Sequence, residues 1–429
     1  MTAAGFSGGA PAIPPEFSQE HMKTILSFGM GVESSALLLS WLERPESRDF
    51  DLERDLIVIT AQTGGEHPDT KWLCERHLLP RMRARRMRYV QVARAGHLEA
   101  DGIVVLSDTR EPFEVHIQGA YTLAEELRSA GTVPQFSGNR ICSTKFKGWV
   151  IETWLSQELS GQPYRHALGY NVDERSRIAR SERAFAERVT APVRMAFGFN
   201  CDEESRIVRA AKYDTALRKG FYPLFEWKWS RDRCLQYLKD LTGVTWPKSC
   251  CSYCPFQALR EDTVARMRRF PGQVAEALLL EHQSLCLNPR GALYRDRTLL
   301  SVVTENHHAE ALRYFRERLE AAEYALYRVR RIYKGPGKAD RAVQKLKKGS
   351  HAEMAVCFGR MSPGLEVRAE HGIRYGYVRR REPDRYPAVE EFFVVAPATV
   401  ESKTRYGFEW FEAKWRETLG ETGQERLFD

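Results

Sequence analysis

From Lys23 onward, short apolar runs alternate with longer amphipathic ones, and that alternation restricts the chain to few architectures. "TILSF" reads as a buried strand, "SSALLLSWLE" as a helix and "DLIVITA" as a second strand; "TKWLCERHLLPRMRARR" then reads as a helix and "RYVQVAR" as a third strand. Strands separated by helices predict an α/β fold, a parallel sheet with helices on both faces. Ligands of such sheets sit beyond the carboxyl ends of the strands. The loops after the first and second strands are therefore the first places to look for chemistry.

The first of these loops lies in "ILSFGMGVESSALLL", residues 25–39. Gly29 and Gly31 are expected to supply positive φ or a close backbone approach. Ser27, Ser34 and Ser35 supply hydroxyls, and a helix starting near Glu33 or Ser34 points unpaired N–H groups back at the loop. Strand, Gly/Ser loop and helix N-terminus together make a phosphate cradle. A Gly-Lys-Ser/Thr step is missing, so no Walker lysine reaches the outer phosphates. That points to chemistry at an α-phosphate. The second loop, "TAQTGGEHPDT" (60–70), offers Thr63, Gly64, Glu66 and Thr70. A Gly-rich turn with a helix capped at Asp69 or Thr70 accounts for it on its own, and the loop before it tips the reading toward function.

Three further stretches carry reactive residue types. "GNRICSTKFKGWV" (138–150) sets Cys142 among Arg140, Lys145 and Lys147 ahead of a helix. "ALGYNVDERSRIAR" (167–180) recurs 29 residues later as "AFGFNCDEESRIVR" (196–209), which repeats an acid pair and two arginines. Such a group suits Mg²⁺ with a polyphosphate, or simply a charged helix start. "KSCCSYCPF" (248–256) supplies Cys251 and Cys254, an incomplete metal site by themselves. Nine cysteines, an odd count in a long chain, point away from a disulfide framework and toward metal or thiol chemistry.

In this order the motifs resemble the PP-loop ATP pyrophosphatase superfamily, in its phosphoadenosine phosphosulfate reductase-like branch. The resemblance spans about residues 23 to 290. It implies an adenine nucleotide alpha hydrolase-like (HUP) core with a cysteine-bearing helical segment and a small C-terminal α/β or β-rich unit. Ser27, Gly29, Gly31, Ser34 and Ser35 would hold the phosphates of ATP, with Thr63, Gly64 and Lys145 nearby. Ser34, Glu66, Glu203 and Arg206 would act in catalysis, the second copy of the repeat being preferred because "YPLFEW" follows it more closely. Cys142, Cys251, Cys254 and Cys286 would carry a [4Fe–4S] cluster, with zinc as the alternative and Cys250 as a competing ligand. Glu33 and Gln62 depart from the commonest motif, where Asp stands.

The activity implied is adenylation with pyrophosphate release, using Mg²⁺, in sulfur transfer to a nucleic acid. DNA backbone phosphorothioation is preferred, with DNA ahead of RNA and a cysteine desulfurase as sulfur donor. Alternatives are a phosphoadenosine phosphosulfate reductase, a tRNA thiolation enzyme or a non-catalytic nucleic-acid-binding protein. The reductase depends on a C-terminal Glu-Cys-Gly-x-His segment, whereas this chain ends "TGQERLFD".

Residues 1–22 read as a flexible Gly/Ala/Pro tail without signal-peptide features, hence a cytoplasmic protein. No apolar run reaches the length of a membrane span. The expected division is 23–245 for the nucleotide domain, 246–327 for the helical segment, 328–350 for a basic linker or arm and 351–429 for a small C-terminal domain. A net charge of +8 fits a polyanionic partner. "RVRRIYKGPGKADRAVQKLKK" (328–348) is the densest basic stretch, and Tyr333 within it could stack on a base. In the last part "EMAVCFGR", "IRYGYVRRR" and "EEFFVVAPATV" read as strands and "WFEAKWRETLG" as a helix.

Overall fold

The computed structural model describes residues 23–134, 140–158, 164–165, 193–196, 218–257 and 259–420. The chain divides into two compact units, the first formed by Met1–Leu123 with Ser137–Cys251, the second by Ala124–Phe136 with Ser252–Asp429.

The first unit is built on strands β1 (Lys23–Ser27), β2 (Leu56–Gln62), β3 (Arg88–Arg94), β4 (Ile103–Thr109) and β5 (Tyr164–Arg165). Their order across the sheet is β4-β3-β2-β1-β5. β5, β1, β2 and β3 run parallel, as expected; β4 turns back antiparallel along β3, so the sheet is mixed and not wholly parallel.

Alternating side chains explain why both faces are covered. Leu26, Val58 and Tyr89 enter one apolar cluster with helix α1 (Val32–Glu43), while Ile25, Ile57, Ile59, Val90 and Val92 enter the opposite one. The helix Trp149–Glu158 fills that opposite face through Val150, Ile151, Trp154 and Leu155. In α1 even Ser35 and Ser40 are buried, because helix Arg231–Thr242 packs on its outer side through Cys234 and Leu238. A helix apolar on every side is stable only when enclosed in this way. Full burial of each of Leu37, Leu38 and Leu39 contributes about 2–3 kcal/mol.

The helix expected at 70–86 spans Pro68–Leu73, a π turn at Cys74–Leu78, and Leu79–Ala84. Pro68 suits a first turn. The π turn lies just ahead of Pro80, a residue with no N–H to give an ordinary helical ladder.

The second unit holds a six-stranded antiparallel sheet. Its strands are Glu366–Glu370, Ile373–Arg379, Ala388–Pro397, Tyr324–Gly335, Lys338–Gly349 and Lys403–Thr404, in that spatial order. Helix Pro271–Leu287 buries Leu285, Cys286 and Leu287 against Tyr327, Val329, Tyr375, Phe392 and Val394. The helical segment and the C-terminal sheet therefore form one unit, where the sequence suggested two.

Two expectations fail here. The basic stretch at 328–350 is no linker: it is a hairpin of two twelve-residue strands near the middle of the sheet. Its cations are largely neutralised by acids distant in sequence. Arg328 donates to Glu391 at 2.6 Å, Arg331 to Glu390 at 2.9 Å, and Arg330 pairs with Glu412. Tyr333 is buried and donates to Glu390 at 2.8 Å, so it is not available to stack on a base. "EMAVCFGR" is likewise a helix, His351–Met361, opened by a capping box between Ser350 and Glu353.

No helix among the described residues is long and apolar enough to cross a membrane.

Candidate functional site

A cavity of about 290 Å³ opens at the carboxyl ends of β1 and β2. Its walls come from Ser27–Met30, from Thr60–Thr63 with Glu66, and from Ser143, Lys147, Gly148 and Ile151. The position follows from topology. The chain winds from β1 through β2 to β3 on one side, and β5 lies on the other side of β1. The winding sense thus reverses at β1, and a crevice forms at such a switch point.

The loop after β1 is held from both ends. The amide of Phe28 donates to the Ile59 carbonyl at 2.7 Å, and the Thr60 hydroxyl donates to the Phe28 carbonyl at 2.9 Å. Gly31 caps α1 without a side-chain hydrogen bond, and the helix begins at Val32. The left-handed residue of the loop is Met30, at φ 56°, and not either glycine. Its side chain is buried in the core beneath, which compensates a backbone cost of about 1 kcal/mol or more. Gly29 is exposed, and a Cβ there would meet nothing within 4 Å, so its contribution is an open wall.

The serines of the loop separate into distinct roles. The Ser27 hydroxyl lines the cavity, buried and without a hydrogen-bond partner. Ser34 donates to the Gly31 carbonyl at 3.2 Å. Ser35 is wholly buried in α1 and is not part of the cavity wall. Glu33 pairs with Arg231.

In the second loop Glu66 gathers three donors. Its carboxylate accepts from the Thr70 hydroxyl at 3.0 Å, the Cys250 amide at 2.8 Å and the Ser249 hydroxyl at 3.0 Å. Ser249 also lies 3.0 Å from the Gly29 carbonyl, so its one hydroxyl sits between the loops after β1 and β2. A single β-bridge joins Glu66 to Cys251, and the Cys251 sulfur sits 3.3 Å from the Thr63 hydroxyl. Gly64 has φ 86°, and a Cβ there would come within 2.5 Å of Thr122. Here glycine is obligatory.

The third wall is a π turn, Thr144–Gly148, which follows the short helix Ile141–Ser143. Buried Arg94 supports this wall. It donates to the carbonyls of Gly96, His97 and Leu98 at 2.9–3.0 Å and to that of Lys145 at 3.4 Å, and it stacks over Trp149 at 4.6 Å. Lys147 lines the cavity and Lys145 does not. Cys142 is half-buried beside Ser143, with 3.9 Å between sulfur and hydroxyl.

Of the residues expected to act, Ser27, Gly29, Thr63 and Glu66 share the cavity wall, with Gly31, Ser34 and Gly64 in the same loops. Glu203 and Arg206, like Glu174, Arg177 and Cys201, lie outside the described residues. Ser249, Arg94 and Ser143 escaped the sequence reading. Ser249 lies inside the cysteine motif at 248–256, but nothing local in the sequence signals its partners.

The cysteines are not equivalent. Cys142 and Cys251 belong to the first unit, Cys254 and Cys286 to the second. Burial pushes the Cys286 thiol far above its ordinary range, and its sulfur lies 3.6 Å from His282 Nε2 within the core of the second unit. Burial, with Glu66 and Glu75 nearby, does the same to Cys74. Among the described residues no three His, Cys, Asp or Glu side chains converge as metal ligands, and none of the cysteines is in a disulfide. Comparison with family models, with curated proteins and with solved structures finds no match.

Proposed function

We propose that this chain is a PP-loop ATP pyrophosphatase that adenylates an acceptor oxygen so that sulfur can replace it, with a nucleic acid, DNA before RNA, as acceptor. The observation that carries this reading is the buried, unpartnered Ser27 hydroxyl in the wall of a cavity at the β1 switch point. A buried hydroxyl without a partner costs stability unless a ligand supplies one. A phosphate oxygen at the end of β1 would do so, beside the first turn of α1.

MgATP enters as substrate. Ser27 and Lys147, which both line the cavity, would face its phosphates, and Glu66 keeps the loops at Gly29 and Thr63 in register through Ser249 and the bridge to Cys251. An acceptor oxygen attacks the α-phosphorus, the bond to the bridging oxygen breaks, and pyrophosphate leaves. The pre-set cation and hydroxyl stabilise charge where it develops. A persulfide sulfur on Cys142 or Cys251, loaded by a desulfurase, then displaces AMP. A second thiol cleaves the sulfur–sulfur bond and leaves the sulfur on the acceptor.

The test follows [α-³²P]ATP into labelled AMP or ADP, with pyrophosphate and orthophosphate assayed in the same reaction, in the presence of Mg²⁺, oligonucleotide and a sulfur donor. AMP and pyrophosphate are expected, with the rate strongly reduced in Ser27→Ala and Lys147→Ala. Formation of ADP and orthophosphate, or no nucleotide binding, would refute the proposal.

A further inference from the structure

Single exposed apolar side chains are ordinary, whereas exposed ones gathered at one place mark a contact surface. In the second unit, Tyr406 and Trp410 are 52% and 38% exposed and touch each other edge to face, with centroids 4.7 Å apart. The helix that carries Trp410, Phe408–Leu419, is anchored by its other face, where Phe411 and Trp415 are buried and Arg330 lies 5.3 Å from each ring.

Cations flank the exposed pair. The Arg405 guanidinium lies 5.1 Å from the Tyr406 ring and the Lys334 ammonium 5.4 Å from the Trp410 ring. Lys334 stands at the tip of the long hairpin, where Pro336, Gly337 and Lys338 are exposed as well. The mount is rigid: Lys403–Thr404, just before Arg405, pairs with the hairpin's second strand. Of the nearby acids, Asp340 is buried and paired with Lys334, and Glu409 is one residue from Trp410, about 100° round the helix.

We infer that this corner of the second unit docks single-stranded DNA, with bases stacked on Tyr406 and Trp410 and phosphates held by Arg405, Lys334 and Lys338. Exposed rings set between cations match a strand whose bases are free to stack, and stacking tolerates any sequence. A duplex hides its base faces and would be held by the cations alone. The inference gives the acceptor of the proposed reaction a surface, but it is tested without ATP, so either can fail while the other stands.

The experiment is fluorescence anisotropy with a labelled oligo-dT, the matching duplex, an oligo-U of equal length and a poly-glutamate peptide, using the full chain. The single strand should bind more tightly than the duplex. Tyr406→Ala and Trp410→Ala should each weaken it about tenfold, Trp410→Phe much less, and Arg405→Ala should lower the salt slope by about 0.7. Because both rings are half exposed, thermal midpoints should stay at the wild-type value and so exclude misfolding. Unchanged affinity in the alanine variants, binding confined to RNA, or equal binding of the poly-glutamate peptide would overturn the inference.

Discussion

The backbone amide of Cys250 donates to the carboxylate of Glu66 at 2.8 Å, across 184 residues of chain. Ser249 adds a hydroxyl to the other carboxylate oxygen, and Thr70 donates to the first from four residues away. The segment that carries the cysteines is thereby registered on the loop after β2, and through Gly29 on the loop after β1.

Glu66→Gln should therefore loosen the site as a whole. The amide removes the charge that all three donors bond to, and where its nitrogen takes the place of the oxygen facing Cys250 it leaves that backbone amide without an acceptor. Hydrogen bonds to a charged group are worth about 1.5–3 kcal/mol. A loss of about 2 kcal/mol is expected in urea unfolding of the first unit, with weaker ATP binding in titration calorimetry.

The loop serines should separate cleanly. Ser27→Ala removes a hydroxyl that no protein group satisfies, so stability should hold or rise slightly while ATP affinity falls about five- to tenfold. Ser35→Ala, inside α1 and away from the cavity wall, should leave ATP affinity unchanged. Equal losses in both variants would show that the cavity is not the nucleotide site.

Gly64→Ala meets two obstacles at once, a φ of 86° and a Thr122 methyl 2.5 Å from the added Cβ. Backbone strain and overpacking each cost about 1–3 kcal/mol. A destabilisation of about 2–5 kcal/mol is expected, measured by the denaturant midpoint, and Thr122→Gly should recover part of it.

Acid should weaken the second unit through Glu390. Burial opposes its charge, but Arg331 and Arg290 beside it and the Tyr333 hydroxyl outweigh that and hold its carboxyl below the ordinary range. The folded chain thus binds this proton less readily than the unfolded one. The stabilisation is complete above the unfolded pKa of about 4.3 and disappears as pH falls through the lower folded value. Glu390→Gln leaves Arg331 buried without its counter-charge and should cost about 3–5 kcal/mol at pH 7. The gap to wild type should narrow in unfolding curves below pH 4.

Thiol chemistry should distinguish the cysteines by burial. Cys142, Cys250, Cys251, Cys254 and Cys357 are partly exposed, whereas Cys74, Cys234 and Cys286 are buried. A brief maleimide pulse on the native protein should label the first group and spare the second, as read by peptide mass spectrometry; labelling of Cys286 would contradict its place in the core.

What could be read in advance was whatever depends on near neighbours. Apolar periodicity gave β1, β2, β3 and α1 within a few residues, and the Gly/Ser spacing located the loop that became a cavity wall. It misjudged which residue bends that loop: φ 56° falls on Met30, where side-chain burial outweighs the local preference for glycine. The hairpin at 324–349 read as a linker because its counter-charges, Glu390, Glu391 and Glu412, lie some 60 to 80 residues downstream. A local count of charges sees only Asp340. The helix at 351–361 was legible and missed, since Ser350 and Glu353 spell a capping box.

The short passage Ala124–Phe136 leaves the first unit, joins the second, and the chain then returns. Arg341 donates to the Ala130 carbonyl at 2.8 Å and Lys403 donates to that of Ser129, so the end of helix Leu123–Ala130 is closed by residues made more than 200 positions later. On the ribosome this piece must wait, uncapped, until nearly the whole polypeptide has emerged. Proteolysis meets the same threading in reverse: no single cut yields both units intact, and a fragment that stops at residue 251 would carry away a helix that belongs to its neighbour.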